Sequence, residues 1–218
     1  MKRSCHDAAC RAGLLSLALL SLAALTGCTS GLLPKPQVQA ALFALDDTTP
    51  SAARAIAPPR AAASAPTLVV DAPRAAAGFD TTHIVYVRRA HEIEYFAHSE
   101  WVDAPAQMLA PLLVRALEQS GAFRAVLRAP SAAAADLRLD TELIRLQQGF
   151  DSTPSRVRLT LRAVLTDVAT RRVVAAREFD ASVAAPSDDP YGGVAAANLA
   201  AKRVLADLAA FCAEAAAR

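Results

Sequence analysis

Apolar and polar residues alternate along two long segments in the second half of the chain. The segments 136–146 and 156–167 place Leu, Val, Ala or Thr at every second position, with charged or polar neighbours between them. Because successive side chains on a strand point to opposite faces, this pattern predicts two strands that are buried on one face. A turn at 167–172 leads into 173–183, which we predict to be the hairpin partner of the second strand.

Shorter aliphatic and β-branched runs predict further strands at 41–46, 67–70, 83–88, 92–101 and 123–128. Within 92–101, Ile93, Tyr95, Ala97 and Trp101 share one parity, which predicts that they form the buried side of a half-buried strand. Tyr95 and Trp101 have two interpretations. The favoured one is that both rings anchor the core where strand meets helix. The other is an apolar rim for lipid or partner contact, since Tyr and Trp suit half-wet interfaces.

Two segments have the period of an amphipathic helix. The first begins near Asp103, which we predict to be the N-cap, and has Pro105 in its first turn. It ends at Gly121. Pro111 lies inside it and predicts a kink. Its apolar face consists of Leu109, Leu112, Leu113, Ala116 and Leu117. The second spans 190–217 and is rich in alanine, compatible with packing on a sheet and with a contact in a homo-oligomer. The predicted fold is α/β in the α+β sense: one domain with a mixed β-sheet and two main helices packed on it.

The N-terminal segment has the pattern of an export signal. A basic leader precedes an uncharged apolar run at 13–25, which is shorter than the roughly 20 residues of a membrane-spanning helix. The run ends in Leu25-Thr26-Gly27-Cys28, which resembles the lipobox of bacterial lipoproteins. That resemblance implies a signal peptide at 1–27 and acyl chains, palmitate among them, on Cys28. The alternative is an ordinary secretory signal that happens to contain a cysteine.

The mature chain that follows has no net charge. Removing residues 1–27 takes away three of the 23 basic residues and one of the 21 acidic ones, which leaves 20 of each. Binding to nucleic acid therefore loses its electrostatic basis. Of the four cysteines, only Cys212 remains unmodified, so we expect no internal disulfide and a small core residue at that position.

Two segments are predicted to lie outside the main elements. Residues 28–40 form a lipidated tether stiffened by prolines, and the domain then runs from 41 to 218. Within it, 47–66 is an alanine- and proline-rich loop.

Motifs for catalysis or cofactor binding are missing from the sequence. It contains no glycine-rich phosphate loop, no G-x-S-x-G elbow, no Cys-x-x-Cys pair and no H-E-x-x-H. His83, His91 and His98 are loosely clustered along the chain, and we interpret them as surface residues on adjoining strands and not as metal ligands. The sequence thus predicts no catalytic residue, no metal and no cofactor.

A central block of the chain resembles the ABC-type transport auxiliary lipoprotein family, whose best-known relatives are the Pqi C-type lipoproteins. The resemblance covers most of the mature chain, and the Ala/Pro insertion at 47–66 departs from it. The residues that carry it are Phe79-Asp80-Thr81, Ile84-Val85-Tyr86, Ile93-Glu94-Tyr95-Phe96, Trp101, Ala104-Pro105, Met108-Leu109, Leu117 and Gly121-Ala122-Phe123.

This resemblance implies a non-enzymatic partner of an MCE-domain protein, a permease and an ATPase, which together move phospholipid or other apolar molecules across the envelope. It also implies a mixed sheet with helices packed against it. The protein is then expected at the outer membrane, on its periplasmic face, and Thr29 agrees with the family's sorting rules. A stand-alone periplasmic carrier of an apolar ligand is the alternative, suggested by the alanine-rich core. An envelope hydrolase is the third and least favoured hypothesis.

Overall fold

The computed structural model describes residues 39–46 and 62–218. The predicted signal peptide 1–27, Cys28, most of the tether and most of the 47–66 loop lie outside the described residues. The described elements, in chain order, are β1 (Ala41–Phe43), β2 (Thr67–Val70), β3 (Arg74–Ala75), β4 (His83–Val87), β5 (Glu94–Trp101), α1 (Pro105–Gln119), β6 (Ala125–Arg128), β7 (Leu137–Gly149), β8 (Arg156–Asp167), β9 (Val173–Ala184) and α2 (Pro190–Ala216).

The long strand β7 organises the sheet. Along one side it pairs with β8 in antiparallel register, and β8 pairs in turn with β9. Along its other side it pairs in parallel with β2, β3 and β4 in succession. The short strands extend the sheet outward, because β6 is parallel to β2, β5 is antiparallel to β4, and β1 is parallel to β5. The result is an open mixed sheet.

Both helices contribute to the core over this sheet. Helix α1 contacts β6 and β7, helix α2 contacts β8 and β9, and the two helices contact each other. The core beneath them is built from fully buried leucines: Leu109, Leu113 and Leu117 of α1, Leu139 and Leu143 of β7, Leu159, Leu161 and Leu165 of β8, and Leu208 of α2. Each such leucine contributes about 1.5–3 kcal/mol by burial.

The predicted fold class is confirmed: the chain forms a single α+β domain with a mixed sheet and two helices. The predicted strand at 156–167 and its hairpin partner are both present. One detail of α1 is wrong, because its N-cap is Ala104, which makes no capping side-chain bond, and not Asp103. The helix stops as predicted before Gly121, whose φ of 66° is the left-handed conformation that glycine tolerates.

The predicted buried side of the 92–101 strand is also wrong. Strand β5 pairs Glu100 with His83 and Tyr95 with Val85. Between these two pairings β5 moves by five residues while β4 moves by two, so β5 contains three extra residues, an odd number. An odd insertion exchanges the faces of a strand. Tyr95 is consequently 46% exposed while Trp101 is 4% exposed.

Candidate functional site

Tyr95 belongs to an exposed mixed surface on the outer strands of the sheet. Its ring centroid is 5.1 Å from that of His83, and His83 Nδ1 is 3.7 Å from Glu100 Oε1. Leu42, the neighbour of Glu100 across the β1–β5 pairing, is 64% exposed. We call these four residues the Tyr95 surface. An exposed aliphatic and an exposed aromatic group beside polar side chains are the composition of a protein contact.

Trp101 does not belong to this surface. It lies in the hydrophobic core and lines a small pocket together with Ile84 and Leu146. Its ring is a core anchor, the interpretation that the sequence favoured. The structure therefore separates the two aromatic residues that the sequence had considered together, and of the two only Tyr95 is exposed.

A second aromatic cluster stiffens the strands that hold Tyr95. The rings of Tyr86 and Phe96 lie 4.5 Å apart between β4 and β5, and Phe150 meets Tyr86 edge-on at 5.8 Å. The Tyr86 hydroxyl donates a 2.8 Å hydrogen bond to Glu94. This bond to a carboxylate, with burial, raises the pKa of Tyr86. The phenol therefore stays protonated and continues to link the strands.

The face of β7, β8 and β9 that carries the charged residues is lined with ion pairs. Arg158 contacts Asp180 at 2.8 Å, and Arg162 lies 3.5 Å from both Glu142 and Glu178. Burial opposes ionisation of Asp180, but hydrogen bonds from Arg158 and Thr160 hold its pKa below the ordinary value. Exposed pairs of this kind stabilise a fold by at most about 1 kcal/mol each. Their main effect is to keep this face hydrophilic.

An apolar groove of about 490 Å³ runs between the two helices. Its walls are Leu112, Ala116, Ala201, Leu205 and Ala209, and Arg115, Gln119, Asn198 and Lys202 are among the polar residues that line it. The volume is in the range of small-molecule sites, about 300–1,000 Å³. The sequence did not reveal this groove, because it depends on how α1 and α2 lie side by side.

A buried polar network fixes the start of α2. Gln148 is 2% exposed, and its Nε2 donates to Ser155 Oγ at 2.8 Å and to the Asp189 carbonyl at 3.3 Å. The Ser155 backbone N–H donates to Asp188 at 2.6 Å, and Asp189 caps the helix by accepting from the Gly192 N–H. The Gln148 Oε1 has no hydrogen-bond partner. This network orients the helix on the sheet.

Within the described ranges, no group of three or more His, Cys, Asp or Glu side chains is placed to hold a metal ion. His83, His91 and His98 do not converge there with other side chains into a group able to hold a metal ion. Cys212 is buried, and burial raises its pKa to about 12, which suppresses the nucleophilic thiolate. Among residues 39–46 and 62–218, no helix has the length and hydropathy needed to cross a membrane.

Solved structures with a similar fold exist. Protein XCC0632 from Xanthomonas campestris matches with a TM-score of 0.67 and 24% identity over 81% of this chain and 96% of that protein. A second, described only as an uncharacterized protein, matches with a TM-score of 0.61 and 13% identity over 80% and 99% of the two chains. At these identities the likeness shows the fold alone. None of the curated proteins searched matches the sequence.

The sequence also matches one family model over residues 43–209, which is most of the chain. That model describes the lipoprotein component that assists ABC-type transporters, an auxiliary and not an enzyme family. The central block of residues that suggested this family lies inside the matched segment. The chain belongs to the family of ABC-type transport auxiliary lipoprotein components.

Proposed function

We propose that this lipoprotein is a non-enzymatic, lipid-anchored docking component of an ABC/MCE-type system that moves phospholipid or other apolar molecules across the cell envelope. Its partners are an MCE-domain protein and the permease and ATPase of that system. The observation that carries the proposal is the family match over residues 43–209, which spans nearly the whole domain.

The anchor explains how such a component stays near its partners. Lipid on Cys28 holds it at the periplasmic face of the outer membrane, in agreement with Thr29. Several acyl chains are needed, since a single chain binds a membrane only marginally. The tether that follows, if extended, spans roughly 40 Å at about 3.3 Å per residue. The domain can therefore reach a partner that stands away from the membrane surface.

The Tyr95 surface supports a docking role because it offers an aromatic anchor on a rigid sheet. An aromatic side chain surrounded by polar groups is the usual centre of a contact between proteins. The strands beneath it are held together by the Tyr86–Glu94 hydrogen bond and the packed rings of Phe96 and Phe150. Little conformational entropy is lost when such a preformed surface binds.

Site-specific photo-crosslinking in intact cells tests this proposal. A photoreactive phenylalanine analogue replaces Tyr95 in one strain and Tyr191, also exposed but on α2, in the matched control. We expect the Tyr95 probe to yield a discrete adduct with an MCE-domain or other transporter protein, and the Tyr191 probe to yield less. The proposal is wrong if both probes yield no transporter protein although the variants are well expressed.

The second candidate function is a stand-alone carrier of an apolar ligand, and the groove between the helices is the observation that favours it. Lipid extracted from the purified protein measures this directly. Ala206 is exposed and lines the groove, so Ala206→Phe should expel the lipid, whereas Ala195→Phe, exposed on the same helix away from the groove, should not. A wild-type protein that carries no lipid excludes this candidate.

A further inference from the structure

Strand β9 is a long edge of the sheet. Over Val173–Ala184 it pairs with β8 on one side, and among the described residues no strand pairs with its other side. An edge of this kind presents a row of backbone N–H and C=O groups that can receive another strand. Its length is 12 residues, more than most strands of globular proteins.

Strand β9 lacks several of the features that protect an edge from pairing. The segment contains no proline, no lysine and no glycine. Its register with β8 shifts only near the start of the strand, between Leu165 and Thr166 of β8. The one charged residue on the helix side is Arg177, whose guanidinium lies 5.2 Å from the Phe179 ring and 6.0 Å from the Phe211 ring. The edge is thus open along most of its length.

A second copy of this chain fits this edge poorly. Suppose two β9 strands pair antiparallel with the helices of both copies on the same side of the sheet. A register centred on Arg177, Glu178 or Asp180 then places that residue of one copy opposite the same residue of the other copy. A register centred on Phe179 places Glu178 of one copy opposite Asp180 of the other. Like charges directly opposite each other destabilise a strand pair. Registers centred nearer the strand ends avoid these clashes but pair a shorter length.

The two faces of β9 specify a different occupant. On the helix side, Phe179 and Val183 are buried and Ala175 and Ala181 are partly buried. On the opposite side, Glu178 and Asp180 face Arg162 and Arg158 of β8, and their own side chains remain 51% and 38% exposed. A strand added beyond β9 therefore meets mainly apolar groups, with Arg177 among them, on one side and carboxylates on the other.

We propose that β9 receives an extended segment of a partner protein in which basic and apolar residues alternate. The basic side chains lie opposite Glu178 and Asp180 and continue the rows of charge from β8. The apolar ones lie on the helix side, beside the partly buried Ala175 and Ala181 of β9 and Phe211 of α2. Backbone hydrogen bonds supply affinity, and the alternating side chains supply selectivity. The inference rests on the proposed docking role and adds a second contact surface, separate from the Tyr95 surface.

The first test uses the full chain and two synthetic peptides, one alternating Lys and Val and the other alternating Glu and Val. We expect the Lys/Val peptide to slow hydrogen exchange of the β9 amides and the Glu/Val peptide to bind at least about threefold more weakly. Equal binding, no protection, or protection confined to other elements overturns the proposal. Concentration-dependent protection of β9 without any peptide identifies a second copy as the occupant and overturns it as well.

A pair of matched variants tests the role of charge. Glu178→Arg should weaken binding of the Lys/Val peptide by at least about threefold. Glu142→Arg makes the same change at the other carboxylate that contacts Arg162, but Glu142 lies on β7, which has strands on both sides. The control should leave peptide binding unchanged. Equal effects of the two variants on peptide binding refute the role of the edge.

Crosslinking in cells separates this inference from the proposed function. A photoreactive probe at Val174, exposed on β9, is compared with the probe at Tyr95. A transporter adduct at Val174 supports both claims. An adduct at Tyr95 alone leaves the proposed function standing and overturns the β9 inference. Peptide binding at β9 with no transporter adduct at either position supports the edge site and contradicts the proposed function.

Discussion

Replacement of Gly193 by alanine should destabilise the fold, although alanine is the better helix former. A Cβ atom at Gly193 would lie 2.2 Å from Gln148 Oε1 and 2.8 Å from Gln148 Cδ. These distances are far below van der Waals contact. The Gln148 amide must therefore move, and it is held by Ser155 and by the Asp189 carbonyl.

The magnitude follows from three effects. Forcing a methyl group into a filled interior costs about 1–3 kcal/mol. Displacing the Gln148 amide leaves buried polar groups without partners, at about 1–3 kcal/mol. The helix preference of alanine over glycine returns about 1 kcal/mol. We expect Gly193→Ala to lower the free energy of unfolding by about 1–5 kcal/mol, measured by urea denaturation followed by circular dichroism.

A double-mutant cycle identifies the cause. With Gln148→Ala already present, the clash is gone, and Gly193→Ala should then cost less than about 1 kcal/mol. Gly192→Ala serves as the matched control, since its Cβ would meet the backbone oxygen of Ser187 at 2.2 Å and Gln148→Ala cannot relieve that clash. An equal cost of Gly193→Ala with and without Gln148, or a cost below about 1 kcal/mol for Gly193→Ala alone, would show that the clash with Gln148 is not the cause.

Three further predictions concern the core and its ionisable groups. Leu113→Ala should cost about 2–5 kcal/mol in urea denaturation because Leu113 is fully buried, while Leu199→Ala at an exposed site should cost far less. Hydrogen bonds from Ser155 lower the pKa of Asp188 in the folded state, so the ionised carboxylate stabilises the fold. This stabilisation is present above the unfolded pKa of about 3.9 and is lost as the pH falls through the folded pKa. Asp188→Asn should therefore flatten the pH dependence of the free energy of unfolding below about pH 4. Cys212, with its pKa raised to about 12 by burial, should resist iodoacetamide at pH 8 until the protein is unfolded, and labelling in the native state would contradict its burial.

Local pattern was sufficient to predict the hairpin and the helices. The alternation in 156–167 and the Asp167 turn are properties of neighbouring residues, and the structure has β8 and β9 as expected. The turn is closed by Asp167, which accepts from the Thr170 N–H at 2.7 Å. Likewise, Gly121 marks the end of α1 because only a left-handed residue can continue the chain there.

Features that depend on pairing between distant residues were not visible in the sequence. The odd insertion in β5 is set by its register with β4, so parity alone placed Tyr95 and Trp101 on one side when they lie on opposite sides. Strand β3 consists only of Arg74 and Ala75, too short to show a period. The groove and the open edge of β9 exist only once the elements are assembled. Candidate contact surfaces therefore required the structure, while the family was evident from the sequence.

Affinity purification of the lipidated protein from detergent-solubilised envelopes, with mass spectrometry of the retained proteins, tests whether the protein docks on a transporter. We expect an MCE-domain protein and the permease and ATPase of one ABC system to be retained in fixed ratio. We expect their yield to fall when Tyr95 is replaced by Glu and to stay the same when Tyr191 is replaced by Glu. Recovery of the lipoprotein without any transporter subunit, from envelopes in which those subunits are present, would contradict the docking role.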